Sequence, residues 1–244
     1  MGEITPDERV YWTWQFVRIN ATIVYTWATM AFLVLGSWLI TRKLSTGPEL
    51  SRWQNFLEVI VDYTRKQIQE ISQQKPDRYL AFIGTLFVFI AVSNALAIVP
   101  GYVPPTASLS TTAALAICVL VAVPVFGITR VGLGAYLRNY IRPNPVMLPF
   151  NIVGELSRTL ALAVRLFGNV MSGAKIAAIL LALVPFVVPI IMHAFGLLTG
   201  LVQAYIFSIL AMVYIASGAK AQGQGEAPEE GPGGPSTKGA RDDG

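Results

Sequence analysis

The residue least at home in its surroundings is Arg165, in the stretch LSRTLALAVRLFGNVMSG (156–173). Apolar Leu162, Ala163 and Val164 precede it, Leu166 and Phe167 follow it, and Lys175 is the only other charge between Thr159 and Phe186. A run of roughly 20 apolar residues is what crosses the ~30 Å hydrocarbon core of a bilayer. An arginine near the centre of that core costs about 2.5–3.5 kcal/mol on the mildest scale. Such a cost is not carried for packing, so a membrane-embedded Arg165 must face a partner carboxylate or water.

Other polar groups gather around it in sequence. Arg158 lies seven residues before Arg165 and shares its helical face, which Asn169 (i+4) and Ser172 (i+7) extend, with Gly168 beside it. Glu155 stands one turn before Arg158, so a local ion pair and snorkelling account for Arg158 without any further role. Gln203 interrupts a second apolar run, with Thr199 one turn before it and Ser208 just beyond. A buried amide in lipid needs partners; an antiparallel neighbour could bring Gln203 to Arg165, or the bond could be a plain helix–helix contact. His193, the only histidine, could titrate near neutrality, although a satisfied interhelical bond is the plainer reading. Lys175, ten residues after Arg165, falls on a different face and could line an aqueous entrance. Cys118, the single cysteine, lies in an apolar run, so it forms no internal disulfide and reads as packing. One histidine and one cysteine on different spans supply no nucleophile–base pair and no metal cluster. No cofactor is expected.

The elements that must position these residues follow from composition. The 244 residues are 54% hydrophobic and 13% charged, half the charged share of ordinary soluble domains (about 25%). With a mean hydropathy of +0.55, the fold class is an all-α polytopic membrane protein. The net charge of +4 is small and no Lys/Arg cluster is interleaved with aromatics, which excludes a nucleic-acid partner. The start, MGEITPDERVYWTWQ, is acidic and lacks a short basic region, so no cleaved signal peptide is expected.

Residues 1–20 form an N-terminal outer segment, with Trp12 and Trp14 as interface anchors. The membrane domain, 21–218, holds spans at about 21–40, 79–99, 109–129, 147–185 and 189–217. Between the first two, over 49–75, Trp53, Phe56, Leu57, Ile60, Ile68 and Ile71 recur at helical spacing while Arg52, Asp62, Arg65, Lys66 and Gln69 take other faces. This predicts an amphipathic helix lying in the headgroup layer, packed on a partner subunit, or both. The connector PGYVPPTAS carries no charge, and its three prolines predict an extended course. The tail, 219–244, is Gly/Pro-rich and polar and is read as disordered and cytoplasmic. Residues 42–78 hold seven Lys/Arg and 130–146 hold three, while the loop 100–108 holds none. The positive-inside rule then sets the N-terminus outside and the C-terminus inside. Leu156–Val184 would be roughly 44 Å long and Pro189–Ser217 roughly 43 Å, against a core of ~30 Å. The last two spans are therefore predicted to form a long, strongly tilted hairpin that presents a broad flank to a neighbour.

At PFNIVGELSRTLALAVRLFGNVMSG (149–173), LVQAYIFSILAMVYIASG (201–218) and VPPTASLSTT (103–112) the sequence resembles subunit a of the F-type ATP synthases. The resemblance covers most of residues 75–218, and RLFGN after a small/apolar helix is its most specific element. It implies an ion-conducting stator subunit, not an enzyme by itself, that offers two half-channels to a rotor ring of c subunits. Its further partners would be the b-subunit stalk, the remainder of the synthase and lipid, in a bacterial inner membrane. Residue by residue, it implies that Arg165 is the stator arginine, Gln203 the glutamine facing it across the hairpin, Asn169 part of the same block, and Glu155 an acid near an aqueous path. The chain departs from the pattern in having Ala174 and Lys175 where most relatives carry an acid after GN-x-x-x-G, and Ser108 where many carry one after PPTA. These departures and the opening TWQFVRINATIVYTW look similar to a divergent, sodium-linked bacterial branch. The choice of proton or sodium rests largely on ring residues. A self-contained transporter with Arg165 binding an anionic substrate is the rival reading; it calls for inverted repeats and broken helices, and the sequence has no such repeat.

Overall fold

The computed structural model describes residues 10–14, 17–42, 52–72, 77–99, 102–141, 147–183 and 188–223. Seven α-helices dominate them: α1 (Ala21–Thr41), α2 (Arg52–Ser72), α3 (Asp77–Ala95), α4 (Leu109–Val131), α5 (Leu133–Ile141), α6 (Met147–Leu183) and α7 (Val188–Gly223). Five of these, α1, α3, α4, α6 and α7, are long and apolar enough to cross a membrane. The protein is an all-α polytopic membrane protein, and α2 is strongly amphipathic. Only a short antiparallel ribbon, β1 (Val10–Trp14) with β2 (Val17–Asn20), adds strand structure to the described residues. The tail beyond Gly223, and its expected disorder, lie outside the described residues; α7 itself runs five residues past the boundary expected at 218.

The core is built by α3, α4, α6 and α7, with Ile68 of α2 added at one end. On α7 the buried residues Gly200, Gln203, Ala204, Phe207, Ser208, Ala211, Met212 and Ile215 form a single stripe at three- and four-residue spacing. Ala204, Ser208 and Ala211 keep that stripe narrow, which lets another helix approach closely where lipid supplies no hydrophobic drive. On α6, Thr159, Leu162, Ala163 and Leu166 make the matching stripe.

Two connections differ from expectation. The sequence pattern assigns no element to the segment after α4. Gly132, at φ 84°, instead ends α4 and lets the chain restart at once as α5. The connector between α3 and α4 is extended at Pro104, but Pro105–Ala107 form a 3-10 turn. Proline fixes φ at a helical value and loses nothing by lacking an N–H at the first position of a turn, so Pro105 starts it. The turn is not a surface loop: Pro105, Thr106, Ala107 and Ser108 are all buried. It is wedged among α1, α3, α4 and α6. Tyr102, just before it, lies edge-on to Tyr25 and its hydroxyl meets that of Thr29 at 2.8 Å. Burial pushes the Tyr102 pKa up, so the phenol stays neutral.

The amphipathic helix is tied to this frame by side chains. Tyr205 of α7 donates to Gln67 Oε1 at 3.0 Å, and the Tyr63 and Tyr205 rings lie 6.3 Å apart. Arg65 pairs with Asp77 at the start of α3 at 2.7 Å. α2 therefore packs on α3 and α7 of its own chain through Thr64 and Ile68.

Candidate functional site

The helix that carries Arg165 is the least covered of the long ones. Within the apolar window of α6 only 6% of residues are buried, against 39% for α7. The face predicted from spacing is an outward one: Arg158, Ala161, Arg165 and Ser172 are exposed, while Gly168 and Asn169 are half-buried beside them. Leu160, Val164, Ile176 and Ile179 are exposed on the same helix. Arg165 thus stands on an apolar surface, and among the described residues it has no hydrogen bond or ion pair.

The other predicted residues spread along the two long helices. Gln203 is 5% exposed, and its Nε2 is a buried donor with no partner among the described residues. No hydrogen bond joins it to Arg165 among the described residues. Ser172 is exposed and donates to the Asn169 carbonyl at 3.1 Å. Lys175 and His193 are exposed, one on each helix. Glu155 is half-buried, and its carbonyl accepts from Thr159 at 2.9 Å.

The local ion pair expected between Glu155 and Arg158 does not form among the described residues. Arg158 instead reaches across to α7, its guanidinium 5.9 Å from the centroid of the Tyr214 ring. A planar cation over an aromatic face keeps its outer side free for solvent or a partner, so the residue ties α6 to α7 rather than to its own helix.

Sequence reasoning missed a second polar group. Asn94 of α3, 4% exposed, donates from Nδ2 to the Gly200 carbonyl of α7 at 3.0 Å. Thr106 of the buried turn donates to Asn94 Oδ1 at 2.7 Å. A Cβ on Gly200 would lie 2.8 Å from the Asn94 Cβ, so only glycine admits this approach. The signals were available: an Asn and a Ser at 93–94 and a lone Gly at 200 in otherwise apolar runs. Their meeting across 106 residues was not.

The geometry combines an exposed arginine on a long apolar flank, an unpartnered buried amide on the next helix and a buried polar turn. It can stabilise a negative charge brought up from outside the chain. The family described as ATP synthase A chain matches residues 23–216. The chain is 60% identical over 220 residues to ATP synthase subunit a 1 of Crocosphaera subtropica, covering 90% of this chain and 96% of that one. It is 60% identical over 228 residues to ATP synthase subunit a of Albidiferax ferrireducens (93% and 98% covered) and 55% identical over 237 residues to that of Nitrosospira multiformis (97% and 94%). A match that takes in three of the five long apolar helices whole and most of α1 and α7, with both polar groups inside it, leaves one assignment: the chain belongs to the ATP synthase A chain family.

Proposed function

We propose that this chain is the ion-conducting stator subunit of a rotary ATP synthase, non-catalytic by itself, working against a ring of c subunits and held by the b-subunit stalk. The observation that carries the reading is Arg165: a charge without a partner among the described residues, on the outward apolar face of the least covered long helix. A carboxylate on the passing ring is the partner of suitable charge. Each of two offset aqueous paths reaches the middle of the membrane from one side. A ring carboxylate takes an ion from one path, turns through lipid and releases it into the other. Arg165 stands between the paths, favours the ionised carboxylate and so drives release, while its fixed charge blocks direct leakage.

The remaining residues take places along the same route. Gln203 offers its free amide donor across the hairpin from Arg165, and Asn169 and Ser172 continue the arginine's face. Glu155 and Lys175 mark the two ends, as an acid near the inner path and a cation at the outer entrance, with His193 on the outer side of α7. The tilt of α6 and α7 follows from length, since their 37 and 36 residues make roughly 56 and 54 Å against a ~30 Å core. The protein sits in a bacterial inner membrane, N-terminus outside and C-terminus inside. The ion is a proton or sodium.

Purification in mild detergent tests the assignment. The chain should co-purify with a ring of small hairpin subunits, and the reconstituted complex should drive ion uptake on addition of ATP. Recovery as a ring-free protein that exchanges an anionic substrate would replace this reading with that of a secondary transporter.

A further inference from the structure

From these contacts we infer that Asn94 is a positioning residue for Gln203, acting as a latch between the buried outer turn and α7; the inference rests on the role of Gln203 given above. The latch has three parts. Thr106 donates to Asn94 Oδ1 at 2.7 Å, so the amide cannot flip without losing that bond and Nδ2 must face the other way. Nδ2 then donates to the Gly200 carbonyl at 3.0 Å. Gly200 lacks the Cβ that would push Asn94 away. The bonded groups on both sides are buried, and a buried amide bond in lipid has no water to replace it.

Gly200 precedes Gln203 by three residues, on the same buried stripe of α7. Holding one backbone carbonyl of a helix fixes both its rotation and its depth at the next turn. Two residues past Gln203, Tyr205 makes a second bracket to Gln67 of α2 at 3.0 Å. Gln203 is therefore held between two side-chain contacts from neighbouring elements, while its own Nε2 is without a partner among the described residues. A buried donor with no bond of its own must be aimed by its surroundings.

The test uses the assembled complex in a Cys118→Ala background. Gln203→Cys should react slowly with a small thiol reagent, and faster when Asn94→Leu is added. In coupled pumping, Asn94→Leu should lose between about twofold and about tenfold, the range one net hydrogen bond supplies. Added to Gln203→Leu it should lose nothing more, because it acts through that residue. Thr106→Val should give the same pattern more weakly, and Thr106→Ser should restore it; these variants carry the test if Asn94→Leu does not assemble. Unchanged labelling, or losses that multiply in the double variant, would overturn the latch. Wild-type pumping by Gln203→Leu together with altered labelling would confirm the latch and remove the functional role of Gln203 instead.

Discussion

Arg165 separates charge from size as few residues can. If it keeps a ring carboxylate ionised and divides two water-filled paths, Arg165→Ala should abolish ATP-driven pumping in reconstituted vesicles and open a passive leak, with assembly intact. Arg165→Lys keeps a charge but loses the planar fork, and a desolvated lysine can shed its proton, so it should also fail at coupled pumping. Wild-type pumping by Arg165→Ala would sink the mechanism, and loss of assembly alone would make the residue structural. Much at this scale was legible beforehand, because a lone charge or amide in an apolar run is conspicuous: Arg165 and Gln203 both stand out from the sequence. What Arg158 and Asn94 do was not legible. Their partners, Tyr214 and Gly200, lie on another helix 56 and 106 positions away, and no local spacing connects side chains so far apart in sequence.

Among elements, α2 shows how far a pattern can be read. Its apolar and charged positions, alternating at helical spacing, predict an amphipathic helix but leave open what its apolar face meets. Ile68 and Thr64 meet α3 and α7 of the same chain, and the Tyr205–Gln67 bond fixes that docking. Tyr205→Phe should therefore loosen α2 without removing it. One net hydrogen bond is worth about 0.5–1.5 kcal/mol, so amide exchange across Arg52–Ser72 should quicken by up to about tenfold while α3 and α4 keep their protection. Equal protection in both proteins would show that packing alone seats the helix. The strand ribbon at Val10–Asn20 and the short helix α5 were not visible in periodicity, since stretches this short cannot be assigned to one period.

For the whole molecule, the uneven covering of the long helices is the dominant fact. α7 buries its stripe among neighbours, whereas α6 leaves most of its apolar surface outward. Cysteines placed at Leu160, Val164 or Ile176 should react with a lipid-soluble thiol reagent in the isolated chain. They should be shielded once the ring is present. Cysteines at Leu162 or Leu166, already buried against the chain's own helices, should react in neither state. Labelling unaffected by the ring would place its docking surface elsewhere. The five spans were legible from length and hydropathy, but which flank stays bare depends on how four helices share one core, and hydropathy is blind to that.

The buried turn at Pro105–Ala107 also has a consequence for biogenesis. Asn94 and Thr106 enter the membrane with α3 and α4, yet the carbonyl that completes their bonding belongs to Gly200 on the final helix. At about 5–20 residues per second, the ribosome needs several seconds or more to reach it. For that interval the nascent protein holds a half-finished polar seam in lipid, and only the arrival of α7 closes it. α7 thus completes the seam, and a chain cut short before Gly200 would leave the Asn94 amide without its carbonyl.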